Sequence, residues 1–309
     1  MRLAFDRLVH SDWSVSPKKR WTATAVRSSI GWSVTCLQQT PNNFVSYLLD
    51  RSDHTLAGFD FPIGLPSFYS TKAGFSFRDL ISNPLSDSSQ RFLSPVETLF
   101  EASLGQPFYR KHPKGAGHSI LFEKLECKSI DDLLRECDKK TSTRSRAEAM
   151  FWTVGAKQVG KAALTGWREV LITAVEQGAS LWPFDGPLSS LAGNRLTIAE
   201  TYPAEAYQHI GMAKTIKKRS RSGRKAAGKI MIKWAKEHEV GFAESVEMKI
   251  VGGFGESEDG EDPFDAVAGL CGMIEVVDGR RPEGPDREKL AGGEGWILGQ
   301  VEIPPARAK

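Results

Sequence analysis

The chain is poor in cysteine and histidine and has no long apolar run, and each shortage narrows what it can be. Its four cysteines (Cys36, Cys127, Cys137 and Cys271) are scattered, with no CxxC pair. That pattern argues against a zinc site or a disulfide framework and predicts reduced thiols in a cytoplasmic protein. The six histidines form no ligand-spaced cluster. No stretch approaches the roughly 18 apolar residues that a membrane helix requires, so no membrane partner is expected. The opening residues, MRLAFDRLVHSDW, carry charges inside their only apolar stretch and do not read as a secretion signal. A formal charge of +3 is too small to demand a polyanionic partner. Repeats and low-complexity segments are lacking. What remains is an ordinary globular composition, 40% apolar and 26% charged, in 309 residues that can bury a substantial core.

Strand and helix signals alternate along the chain. Arg7–Ser11 reads as a strand ending at Asp12, followed by the polar turn SVSPKK. Arg20–Val26 alternates with period two, and Ile30–Leu37 follows after a Ser-Ser turn. Short links favour an antiparallel meander for these three. Pro41–Asp50 reads as a helix capped by Asn42 or Asn43, with Phe44, Val45, Leu48 and Leu49 on one face. The stretch LAGFDFPIGLP (residues 56–66) is then a short buried strand that delivers Asp60 and stops at once, because Pro62, Gly64 and Pro66 cannot continue it. A helical crossover from the meander lays this strand parallel to the first, with Asp12 and Asp60 side by side.

Residues 67–192 break that rhythm. They read as an inserted helical lobe between two parts of a sheet core, 1–66 and 193–309. Within the lobe, a capping-box start at Ser129 precedes a helix IDDLLREC, and Arg146–Gln177 is the longest helical candidate. Trp152, Trp167 and Trp182 read as core, not as a base-stacking platform. Leu196–Thr201 returns to strand and presents Glu200, and Pro203 starts a helix. A basic run from Lys214 to Lys229 precedes a helix over Ile230–His238. In the apolar helix Ala266–Val277, Asp262 is placed as N-cap, Pro263 as first helical residue and Asp265 as N3. The whole is a mixed α/β chain with a five-stranded sheet, three antiparallel strands and then parallel ones, flanked by helices.

Five acids thus gather at strand ends and one helix start: Asp12, Asp60, Glu200, Asp262 and Asp265. Carboxylates without histidine or cysteine suit a hard cation, Mg²⁺ or Mn²⁺. Such a site can activate water and stabilise a leaving oxygen in phosphodiester hydrolysis. A plainer reading stands beside it. Asp262 and Asp265 are what a helix N-terminus wants, and Asp60 and Glu200 can satisfy turns.

The Asp12 strand with its Lys-Lys-Arg-Trp, GFDFPIGLP (58–66), FWTVGAKQVGKAALTGWRE (151–169), AETYPAEAY (199–207), DPFDAVAGL (262–270) and EGWILG (294–299) carry a resemblance over most of the chain. It resembles the family of predicted RNase H-like nucleases long filed as a domain of unknown function. The resemblance implies an RNase H-like sheet with helices on both faces. It also implies metal-binding roles for Asp12, Asp60 and the Asp262/Asp265 pair, with Glu200 nearby. One departure is plain: many relatives place a glycine-rich turn after the first aspartate, where this chain has Trp13-Ser14-Val15-Ser16-Pro17-Lys18-Lys19.

The expected function is metal-dependent cleavage of nucleic acid, DNA or RNA. Candidate phosphate contacts are Lys18, Lys19, Lys157, Lys161, Lys217, Lys218, Arg219, Arg221 and Arg224, any of which could equally be a solvated surface charge. Two alternatives remain. A nucleotide-using phosphotransferase of the actin and sugar-kinase kind would hold phosphates in a glycine-rich turn, which Ser14–Lys19 lacks. A non-catalytic nucleic-acid-binding protein would use the basic run alone.

Overall fold

A computed structural model describes residues 2–50, 53–111, 117–142, 145–153, 159–213, 216–286, 288 and 293–302. The chain divides into two compact units. One comprises Met1–Asp60, Ala179–Gly284 and Ile297–Val301; the other Phe61–Gly178, Pro285–Trp296 and Glu302–Lys309.

In the first unit the strands are β1 (Arg7–Asp12), β2 (Trp21–Arg27), β3 (Trp32–Gln39), β4 (Thr55–Phe59), β5 (Ser180–Leu181), β6 (Leu196–Glu200) and β7 (Val240–Phe242). They form one mostly parallel sheet in the order β5-β6-β4-β1-β2-β3-β7. Only the β1–β2 and β2–β3 pairings are antiparallel; β1–β4, β4–β6, β5–β6 and β3–β7 are parallel. The sheet therefore has seven strands where the sequence predicts five. The two additions sit at the edges and are two and three residues long, too short for a period-two pattern to register.

Every residue of β1, β4 and β6 is buried, as strands covered on both faces must be. Helix α1 (Phe44–Leu49) buries the apolar face expected of it and sets Phe44 edge-on to Phe59. Helix α5 (Glu261–Val277) covers the opposite face. It approaches so closely that a Cβ on Gly269 would stand 2.2 Å from His10 Nε2. Gly58 lies equally tight, since a Cβ there would stand 2.6 Å from Met273 Sδ. The glycines of GFDF and DAVAGL are thus the two sides of one helix–sheet contact.

Helix α2 (Pro203–His209) has Pro203 in its first turn, as the sequence predicts. Helix α3 (Arg221–Glu237) begins well before the expected Ile230, so most of the basic run from Lys217 onward is helical or caps a helix. Ser220 caps it, its Oγ accepting from the Gly223 N–H at 3.1 Å. The buried face of Arg224, Ala227, Gly228, Met231, Trp234 and Ala235 outweighs the poor propensity of two glycines and a string of like charges. Helix α4 (Glu244–Gly252) follows. Helix α5 starts at Glu261 with Gly260 at its N-cap, which corrects the expected role of Asp262: it is the second helical residue, and Pro263 the third.

The second unit holds an aromatic core in which Tyr69, Phe77, Phe92, Phe108, Phe151 and Trp167 pack together. The expected Arg146–Gln177 helix is shorter. Residues 145–153 are not helical, and the helical path runs from Val159 through a π turn at Trp167–Leu171 to Glu176. The expected IDDLLREC helix is instead two 3₁₀ turns, the first with its Ser129/Asp132 capping box in place. Buried Arg135 forks onto Asp138 at 2.9 Å through both Nε and Nη2. Trp167 is buried in this unit and Trp182 in the first, while Trp152 stacks on His118.

Two motifs of this unit explain one another. Gly64 (φ +142°) and Gly295 (φ +79°) lie backbone to backbone, and a Cβ on Gly64 would fall 1.7 Å from the Glu294 carbonyl oxygen. The Glu294 carboxylate accepts from the Ser67 N–H at 2.6 Å and the Glu136 N–H at 2.8 Å. The GLP of one motif and the EGW of the other are a single packing device.

Candidate acidic site

Parallel pairing of β1 with β4 aligns Ser11 with Phe59, so Asp12 and Asp60 emerge next to each other at the carboxyl ends of the two central strands. The Trp13 N–H donates to Asp60 Oδ1 at 2.6 Å, and the two carboxyls are hydrogen-bonded to each other. The turn after Asp12 needs no glycine, because Arg20 holds it. Its guanidinium lies 3.9 Å from the Trp13 ring centre and its Nε donates to the Ser14 carbonyl at 2.5 Å.

The third aspartate comes from α5. Asp265 is buried on the helix, with Oδ1 accepting from the Tyr207 hydroxyl of α2 and Oδ2 from Lys218 Nζ at 2.5 Å. Lys218 also pairs with Glu261 Oε1 at 2.9 Å. Arg219 reaches the other Glu261 oxygen at 3.8 Å.

Gathering these acids out of water has an electrostatic cost that appears in their proton affinities. Burial pushes the Asp12 carboxyl well above its ordinary range, and the charges of Asp60, Asp265 and Asp262 push it further. Burial raises Asp60 to about 7, with the Trp13 N–H and the bond from Asp12 pulling the other way. The proton held here belongs to the Asp12–Asp60 pair and not to either carboxyl alone. Burial also raises Asp265, opposed by Lys218. Asp262, half-buried, rises to about 6 by burial; Lys19 opposes this, while Asp265 and Glu261 add to it. Four of the five predicted acids thus belong to one electrostatic group.

Glu200 stands apart from them. Register places it level with Phe59 and Ser11. Strand alternation turns that row to the face opposite Asp12. Thr201 takes the Asp12 row instead, where its hydroxyl bonds the buried His10 Nε2 at 2.9 Å. Burial lowers the His10 ring to about 3, so it stays neutral. His10, Thr201, Tyr207 and Arg20 support the site and are not singled out by the sequence; Thr201 and Tyr207 lie in AETYPAEAY and Arg20 in Lys-Lys-Arg-Trp, while His10 carries no such signal.

The basic candidates separate. Arg224 is fully buried, its guanidinium spent on the carbonyls of Gly253, Lys218, Gly255 and Ser257 at 2.7–3.0 Å. It clamps the loop that carries Lys218 and is not a phosphate contact. Arg221 bonds the Gly252 carbonyl and the Glu256 carboxylate. Arg219 is 81% exposed at its side chain. Lys18 and Lys19 lie exposed in a 3₁₀ turn after Asp12. Lys161 is half-buried in the second unit, and Lys157 lies outside the described residues. A groove of about 600 Å³ on α3 and α4 is lined by Lys225, Lys229, Ser222, Gly228, Ile232 and Val251, and none of the aspartates borders it.

In kind, the donors fit Mg²⁺ or Mn²⁺: all are carboxylate oxygens withdrawn from water, with Lys218 the cation on Asp265. Among the described residues, no group of three His, Cys, Asp or Glu side chains is arranged to hold an ion as it stands. Both oxygens of Asp265 are engaged by Tyr207 and Lys218. No helix among the described residues is long and apolar enough to cross a membrane. Comparison with protein-family models, curated proteins and solved structures returns no match.

Proposed function

We propose that this protein is a metal-dependent phosphodiesterase acting on nucleic acid, with an RNase H-like core. The observation that carries the reading is the convergence of Asp12, Asp60 and Asp265 from β1, the end of β4 and α5, each with its proton affinity raised by burial. Perturbed carboxylates brought together from separate elements cluster at functional sites. The central order β3-β2-β1-β4-β6, antiparallel and then parallel, supports the RNase H-like reading.

Asp12 and Asp60 would hold Mg²⁺ or Mn²⁺, with Asp265 behind them. When bound, such an ion lowers the pKa of a water and stabilises the leaving oxygen of a phosphodiester. The residues do the rest. The Trp13 N–H fixes the orientation of Asp60. Tyr207 and Lys218 fix Asp265. Lys18, Lys19 and Arg219 offer positive charge near the acids to a phosphate backbone. The glycine-free turn held by Arg20 gives the phosphotransferase reading no support.

The test is Asp60→Asn, which keeps the size of the side chain and its bond to the Trp13 N–H. Mn²⁺-dependent cleavage of single- or double-stranded DNA and RNA should vanish in that variant and in wild type treated with chelator. Cleavage that persists in either refutes the mechanism.

A further inference from the structure

Lys218 has a place in this site that the sequence does not disclose. It enters from the loop before α3 and meets Asp265 Oδ2 at 2.5 Å and Glu261 Oε1 at 2.9 Å. Its own backbone carbonyl is clamped at 2.7 Å by the buried Arg224. That guanidinium also bonds Gly253, Gly255 and Ser257, so the chain carrying the lysine is tied to the loop preceding α5. The ammonium is therefore held in place at both ends: by the carboxylates it touches and by the backbone that carries it. A lysine serving as a mobile phosphate contact needs no such support.

From this geometry we propose that Lys218 is a tethered cation standing where a second divalent ion would otherwise bind, so that the site takes one ion, on Asp12 and Asp60. The inference rests on the metal-dependent reading above. Two observations support it. Asp265 has both oxygens engaged, by Tyr207 and Lys218, and lacks a free pair for an ion shared with Asp12. Asp12 and Asp60 stand next to each other at the ends of β1 and β4 and would hold the one ion. Lys218 is thereby a positioning residue: it neutralises Asp265 and holds it against α2, leaving a single opening for a metal.

Isothermal titration of the full chain with Mn²⁺ tests this through stoichiometry, without reference to activity. Wild type should bind one ion, and Lys218→Arg, which keeps the charge, should also bind one. Lys218→Met frees Asp265 Oδ2 and Glu261 Oε1 and should bind two. Two ions in wild type overturn the inference whatever the variants do. One ion in Lys218→Met, with affinity unchanged from wild type, overturns it as well and leaves the metal-dependent reading standing. No ion in any of the three overturns both.

Discussion

Asp60→Asn should make the metal-free protein more stable at neutral pH and no more stable in acid. In the folded chain burial raises Asp60 from an ordinary 3.8 to about 7, and the neighbouring Asp12 rises too. An unfolded aspartate ionises near 3.9. Between these values the folded protein holds protons that the unfolded chain has released, so stability falls as pH climbs through the window. A rise from 3.8 to about 7 corresponds, at about 1.4 kcal/mol per pH unit, to about 4 kcal/mol. Asp60 keeps some contact with solvent and shares its proton with Asp12, so the part recovered by asparagine is on the order of 1–3 kcal/mol at pH 7.5. Asparagine still accepts from the Trp13 N–H, and its amide can donate to Asp12. Thermal unfolding in chelator, from pH 4 to pH 8, measures the gap. Each kcal/mol moves the midpoint by about 2–4 °C for a unit of this size, so the two proteins should coincide near pH 4 and separate by several degrees at pH 7.5. Parallel curves across the range would refute the claim that these carboxyls are strained by desolvation.

Other outcomes follow from the same contacts. Mn²⁺ affinity should rise between pH 5 and pH 8, because the proton shared by Asp12 and Asp60 must leave as the ion enters; calorimetry in buffers of differing ionisation enthalpy would count it. Arg219→Ala should leave the melting temperature unchanged and lower the salt slope of nucleic-acid binding by about one, as measured by fluorescence anisotropy. Arg224→Met strips the guanidinium from four carbonyls, one buried and three part-buried, and should cost about 1–3 kcal/mol in urea unfolding. Gly64→Ala places a methyl 1.7 Å from the Glu294 carbonyl and should open the second unit to limited proteolysis under conditions where wild type resists.

The strands around the site are legible because their signals are local. Period-two alternation, Pro62 after Asp60 and Pro203 at a helix start act over a few residues, and they locate β1–β4, β6 and α2 to within two residues. Asp12 beside Asp60 follows from one topological preference, a parallel return after a helix. Other features are decided at a distance. The basic run reads as a loop because glycine, serine and like charges disfavour a helix, yet the packing of Met231 and Trp234 makes it one. Arg224 and Lys218 are neighbours in one basic run, and sequence alone gives them one role. The fold buries the first on backbone carbonyls and sends the second to Asp265.

Sequence by itself determined that this is an α/β chain whose acids sit at strand ends, because backbone geometry is set by nearest neighbours and short periods. Only the tertiary structure decided which acids meet. A shift of one residue along a strand turns a side chain to the other face of the sheet, and that single step separates Glu200 from Asp12, Asp60 and Asp265.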